Sequence, residues 1–235
     1  MKTWRTRQGP FAERPVYTLQ EIENICADEL KKVNLYPNEP APIRIERFIE
    51  KRFGTTPVYE ELPEGVLGFT KFGPKGVEQI VVAKSLTDGT QSADRRISTT
   101  LAHEAGHGLL QAHLFVNGSE VSSLFEGNVD SQTPKILCRP DSIPGQQKQT
   151  NYDGRWWEFQ ANQAIGALLL PRLLVEKCLE PFISSRGSFG MPSLPSEKRL
   201  ESVKRLAEAF AVNPVVARIR LEQMYPLKEE AQLTL

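Results

Sequence analysis

His103 and His107 stand four residues apart with Glu104 between them, and the chain's only other histidine, His113, follows six positions later. On a helix, residues four apart lie one turn above each other, so both imidazoles can grip one metal ion from the same face. A carboxylate beside them is placed to take a proton from a water that the ion acidifies. These residue types at this spacing name a chemistry, metal-assisted hydrolysis with Glu104 as general base. Catalytic zinc uses three protein ligands and keeps a fourth position open, so a third ligand has to come from elsewhere in the chain.

Two residues compete for that role. His113 lies ten residues after His103, the spacing of zinc sites in which a glycine breaks the helix and swings a third histidine inward. Here the glycine position is Leu110. The Leu109–Leu110 pair argues that the helix continues, and His113 would then sit about 240° round the axis from His107. Glu158 opens a separate helical segment, with Asn162 one turn further along the same face. A carboxylate there can complete the ligand set, and the amide at i+4 can hydrogen-bond a liganding histidine and fix its tautomer. The flanking Trp156 and Trp157 and the apolar run behind them imply a buried face, where an idle carboxylate is unfavourable. Glu158 is therefore favoured over His113. Zinc fits the ligand chemistry, and manganese, cobalt or iron are also accommodated by two histidines and a carboxylate.

These groups need elements to hold them. The pattern around the histidines predicts a helix from about residue 93 to 115, and that around Glu158 a helix from Arg155 to Leu170, with Pro171 marking a kink or a new start. Thr18 and Glu21 form a capping box ahead of apolar positions Ile22, Ile25, Cys26 and Leu30 at helical spacing. A short helix is expected over residues 43–53. Strand-like stretches at 57–62, 65–72 and 78–83 surround a Gly73–Gly76 turn and read as a small antiparallel sheet, whose edge suits an extended peptide. Residues 117–154 read as a long loop with one short strand at 135–138. Two amphipathic helices close the chain, near 196–210 and 214–225, the second opened by Asn213 and Pro214. Gly106 and Gly108 are expected to let neighbouring backbone pack close to the metal helix.

The fold class expected is α+β. The domain reading is an irregular lead-in over 1–17, a catalytic domain over 18–181, a linker over 182–195 and a C-terminal helical segment over 196–235. Lysine plus arginine and aspartate plus glutamate balance at 29 each, so no global charge draws the chain to nucleic acid or an anionic membrane. No stretch is long and apolar enough to span a bilayer, and no apolar run follows the charged N-terminus. Cys26, Cys138 and Cys178 form no pair at metal-binding spacing and fit reduced thiols in a cytoplasmic protein.

The combination of residues 95–107, Cys138–Arg139, residues 157–162 and the Leu168–Pro171 run resembles the ImmA/IrrE family of metallopeptidases, over roughly residues 18–180. The resemblance implies a zincin-like fold, with His103, His107 and Glu158 as zinc ligands and Glu104 as general base. It also implies a protein substrate, a helix-turn-helix transcriptional repressor of mobile-element or stress-response genes. The sequence departs from the family at Gln111, where a histidine is often found, and at Ala164 and Gly166. Tyr152 and Arg155 are near enough in sequence to Glu158 to be considered as oxyanion stabilisers, although solvation suits both. A rival expectation is a metal-binding regulator that does not cleave and docks a repressor or DNA through its C-terminal helices, where Arg218 and Arg220 fall on the second helix.

Overall fold

The Thr18 hydroxyl accepts from the Glu21 backbone N–H, while the Glu21 carboxylate accepts from that of Thr18. This reciprocal cap starts helix α1, Leu19–Lys32. The computed structural model describes residues 2–5, 13–116, 135–138, 155–184 and 192–226, and all structural statements concern those residues. Helix α2, Ile45–Phe53, ends at Gly54, whose φ of 72° is the left-handed cap that glycine supplies without strain.

Strands β3 (Val58–Glu60), β4 (Gly68–Gly73), β5 (Gly76–Ala83) and β6 (Lys135–Cys138) form one sheet in the order β3-β5-β4-β6. The sheet is mixed, which corrects the antiparallel expectation: β3 runs parallel to β5, and only β4 pairs antiparallel with its neighbours. The reason is topological. The tight Gly73–Gly76 turn lays β5 back against β4, and the connection over residues 61–67 is long enough for β3 to sit on the far side of β5. An up-down-up path whose third strand inserts between the first two must leave the first and third parallel. A second correction concerns the lead-in, where β1 (Lys2–Arg5) and β2 (Glu13–Val16) pair as an antiparallel ribbon rather than irregular chain.

Helix α3 spans Gln91–Leu110 and is capped by the Thr90 side chain on the Ala93 N–H. It stops at Gln111, and a short helix α4 follows over Ala112–Val116, so the single helix expected through 115 is broken. The remaining helices are α5 (Trp156–Leu169), α6 (Arg172–Leu179), α7 (Arg199–Ala209) and α8 (Pro214–Met224). Asn213 caps α8 through its side chain with Pro214 at the first helical position, as the sequence indicates. Helix α5 is the centre of the molecule and packs against α3, α1 and α8. Its apolar run, Ala164 to Leu170, is buried on all sides, the signature of a central helix.

The apolar residues of α7, α8 and the turn between them, including Leu206, Phe210, Ala217 and Leu221, belong to the same core as α1 and α5. A buried ion cluster fastens them. Arg220, 0% exposed, donates to Glu23 of α1 at 2.6 Å and to the Leu170 carbonyl at 3.1 Å, and Arg172 makes a two-point contact with the same carboxylate. Arg218 pairs with Glu222 on the surface of α8. Of the expected linker, Ser184 and Ser193 pair as an isolated bridge. Cys26 and Cys178 are buried free thiols, and burial pushes that of Cys26 up to about 12. No helix among the described residues is long and apolar enough to cross a membrane.

Candidate metal centre

Two helices build the centre, and a missing side chain sets their separation. A Cβ on Gly106 would stand 2.8 Å from the Ala164 Cβ and 3.2 Å from the Ala161 carbonyl oxygen. Only glycine lets α3 and α5 approach this closely, and the approach carries Glu158 to the histidines. Gly108 does the same on another side, where an added Cβ would meet Phe53 and Val77 at 2.8 Å. Both glycines act as the sequence suggests.

His103, His107 and Glu158 are buried and offer nitrogen and oxygen atoms that all lie within 4.8 Å of one another. The two Nε2 atoms are 3.0 Å apart. His103 Nε2 lies 3.2 Å from Glu158 Oε2, and His107 Nε2 lies 3.6 Å from Glu158 Oε1. Two nitrogen or oxygen ligands on a tetrahedral ion at ~2.1 Å stand about 3.4 Å apart, so the triangle is of the size a metal ion requires. His113 is exposed on α4 and lies outside the group. The choice of Glu158 over His113 matches this geometry even though the helix breaks before His113.

The far ring nitrogens fix what the near ones present. His103 Nδ1 is 3.1 Å from Asn162 Oδ1, and His107 Nδ1 is 3.0 Å from Gln111 Oε1. An amide oxygen can only accept, so each Nδ1 carries its proton and each Nε2 turns a lone pair toward Glu158. Burial pushes the His107 pKa down to about 4, so the ring is neutral at pH 7. Burial opposes charge on Glu158, and the adjacent His107 and His103 rings hold its carboxyl below the ordinary range only while they are protonated, so neutral rings withdraw that support. Glu158 Oε2 is buried and accepts no hydrogen bond. Two lone pairs and a carboxylate facing one another are unfavourable by themselves. A divalent cation satisfies all three, and this buried group could hold one.

Glu104 is fully buried beside the ligands, and β4 holds it. Thr70 donates to its Oε2 at 2.6 Å. Gly68 of the same strand leaves the space in which a Cβ would come within 3.5 Å of Glu104 Oε1. Arg155 begins α5, and its charge reaches Glu158 as the weakest of the favourable influences. Tyr152 lies outside the described residues.

No model of a known protein family matches the chain, and no curated protein matches it.

Sequence reading missed Thr70, Gln111 and Gln160. Gln111 was seen only as a departure from a resemblance, yet its spacing of four from His107 repeats the spacing of Asn162 from Glu158, and that was the available signal. Thr70 and Gln160 meet the site across long sequence separations and carry no comparable mark.

Proposed function

We propose that the chain is a zinc-dependent endopeptidase of zincin-like build, with a cytoplasmic regulatory protein as its substrate. The observation that supports this reading is the buried convergence of two imidazole lone pairs and the Glu158 carboxylate, with a second buried carboxylate, Glu104, on the same helix. His103, His107 and Glu158 would hold the ion. When bound, zinc supplies Lewis acidity to a peptide carbonyl and brings the pKa of a water near neutrality. Glu104 takes the proton of the attacking water and returns it to the leaving amine. Thr70, donating to one Glu104 oxygen, orients that carboxylate. Asn162 and Gln111 hold the rings so that Nε2 of each faces inward.

A helix-turn-helix repressor is the substrate that the resemblance to the ImmA/IrrE family implies. The rival reading, a regulator that docks a repressor or DNA without cutting, loses support from the C-terminal arginines. Arg220 is buried against Glu23, and Arg218 is paired with Glu222.

The test combines metal analysis with cleavage of candidate repressors and of a mixed peptide pool, with and without chelator. The wild-type chain is expected to retain one zinc per chain and to cut in a chelator-sensitive way. Glu104→Gln should keep the zinc and lose about 10²- to 10⁴-fold in turnover, and Glu158→Ala should lose the zinc. A wild-type chain that holds no zinc after dialysis, or a Glu104→Gln variant that cuts at the wild-type rate, overturns the reading.

A further inference from the structure

We propose that Gln111, Gln160 and the Pro15 main-chain carbonyl form a one-directional hydrogen-bond relay that locks His107 in its Nδ1–H tautomer. The N-terminal ribbon thereby becomes part of the metal centre. This deepens the proposed function and rests on reading the buried triad as a metal site.

The direction of the relay follows from its far end. A carbonyl oxygen can only accept, so the Gln160 amide must turn its Nε2 toward Pro15, where the distance is 2.7 Å. That leaves Gln160 Oε1 facing Gln111, whose Nε2 donates to it at 3.0 Å. Gln111 Oε1 is then the atom presented to His107 Nδ1 at 3.0 Å. Turning either amide over would set two donors or two acceptors against each other. Gln111 and His107 are 0% exposed and Gln160 is 5% exposed, so solvent cannot readily compensate a reversed link. The lone pair on His107 Nε2 is therefore determined 145 residues away in sequence from the second amide of the relay, by strand β2.

Gln111 occupies a position that makes this possible. It is the residue at which α3 stops, and its own N–H still closes on the His107 carbonyl. Its side chain can thus reach both His107 and α5. Gln111 and Gln160 are positioning residues, since they act on the ion through a ring they orient.

The full-length chain, labelled with ¹⁵N-histidine and stripped of metal, tests the relay directly. With three histidines in the chain, the His107 nitrogens can be assigned, and Nδ1 is expected to be the protonated one. Gln111→Met keeps the chain length and removes the acceptor. It should shift the tautomer toward Nε2–H and weaken zinc affinity by about 10- to 100-fold. Gln111→Glu still offers His107 an acceptor, although its second oxygen faces Gln160 Oε1, and should restore the Nδ1–H tautomer, which a packing role alone would not produce. Gln160→Met frees the Gln111 amide to turn and should cost roughly 3- to 10-fold in affinity. Protonation on Nε2 in the wild type overturns the relay without any variant. So does an unchanged tautomer and zinc affinity in both methionine variants. A wild-type chain that shows the Nδ1–H tautomer yet takes up no zinc removes the metal reading and leaves the relay standing.

Discussion

Two buried carboxylates in this protein are treated in opposite ways. Glu23 of α1 meets two guanidiniums, those of Arg172 and Arg220, at 2.6 Å each. Glu158 of α5 is paired among the described residues only with His103 and His107, and both rings are turned by their far-side hydrogen bonds so that lone pairs face it. At Glu23 the chain supplies the compensating cation from its own side chains, and the result is a fastener between α1, α6 and α8. At Glu158 the facing groups are lone pairs, and a cation from solution could supply the compensating charge. The contrast separates a structural ion cluster from a candidate metal site by the sign of the partners and not by burial, which is nearly equal at the two carboxylates.

That difference can be broken most forcefully by neutralising each carboxylate in turn. Glu23→Gln leaves the buried Arg220 facing no anion and should destabilise the protein by about 3–5 kcal/mol in urea denaturation. Glu158→Gln, measured with chelator present, relieves an uncompensated charge and should change stability by about 1 kcal/mol or less. Equal losses would show that the two clusters are not distinct in kind. The pH dependence sharpens the same point. His107 has a folded-state pKa of about 4 against an ordinary 6.5, so the unfolded chain binds the proton first. Its contribution is full above pH 6.5 and is lost as pH falls toward 4, on the order of 3 kcal/mol. Burial works against the charge of Glu23, but its bonds to Arg172 and Arg220 prevail and hold it below 4.5. Its contribution is therefore lost only at lower pH. Ion-free protein whose stability is flat between pH 6.5 and 4.5 would contradict the buried neutral imidazole. A further effect is steric. Gly106→Ala should cost about 1–3 kcal/mol by forcing α3 from α5. It should also weaken zinc binding by shifting Glu158, whereas Glu23 and its partners stay in place. Melting curves and zinc titration of the one variant read both quantities.

What could be read from the sequence was whatever is encoded within a helix turn or two. The Thr18 box, the Asn213–Pro214 start, the His103–His107 spacing and the Glu158–Asn162 pair are all local, and each is found where the spacing places it. The candidate third ligand was legible because flanking tryptophans and an apolar run make a carboxylate at 158 hard to explain otherwise. Features that arise only when distant segments meet were not legible. The pairing of β3 with β5 depends on which side of a hairpin an earlier strand settles, and residues 57–62 have the same alternation either way. Lys2–Arg5 carries too little apolar patterning to announce a strand, and it gains one only by pairing with Glu13–Val16. Arg220 looked like a surface arginine on an amphipathic helix, and its partner lies 197 residues earlier. The halt of α3 at Gln111 was hidden by the apolar Leu109–Leu110 pair, which favours continuation.

The hydroxyl of Thr70 has a consequence of its own. The candidate ligands all ride on two helices, but the Glu104 carboxylate is also tied to the sheet, through the Thr70 hydroxyl. On the proposed reading, how full the centre is and how fast it works would be governed by different parts of the molecule. A small slide of β4 would then retune the second more directly than the first.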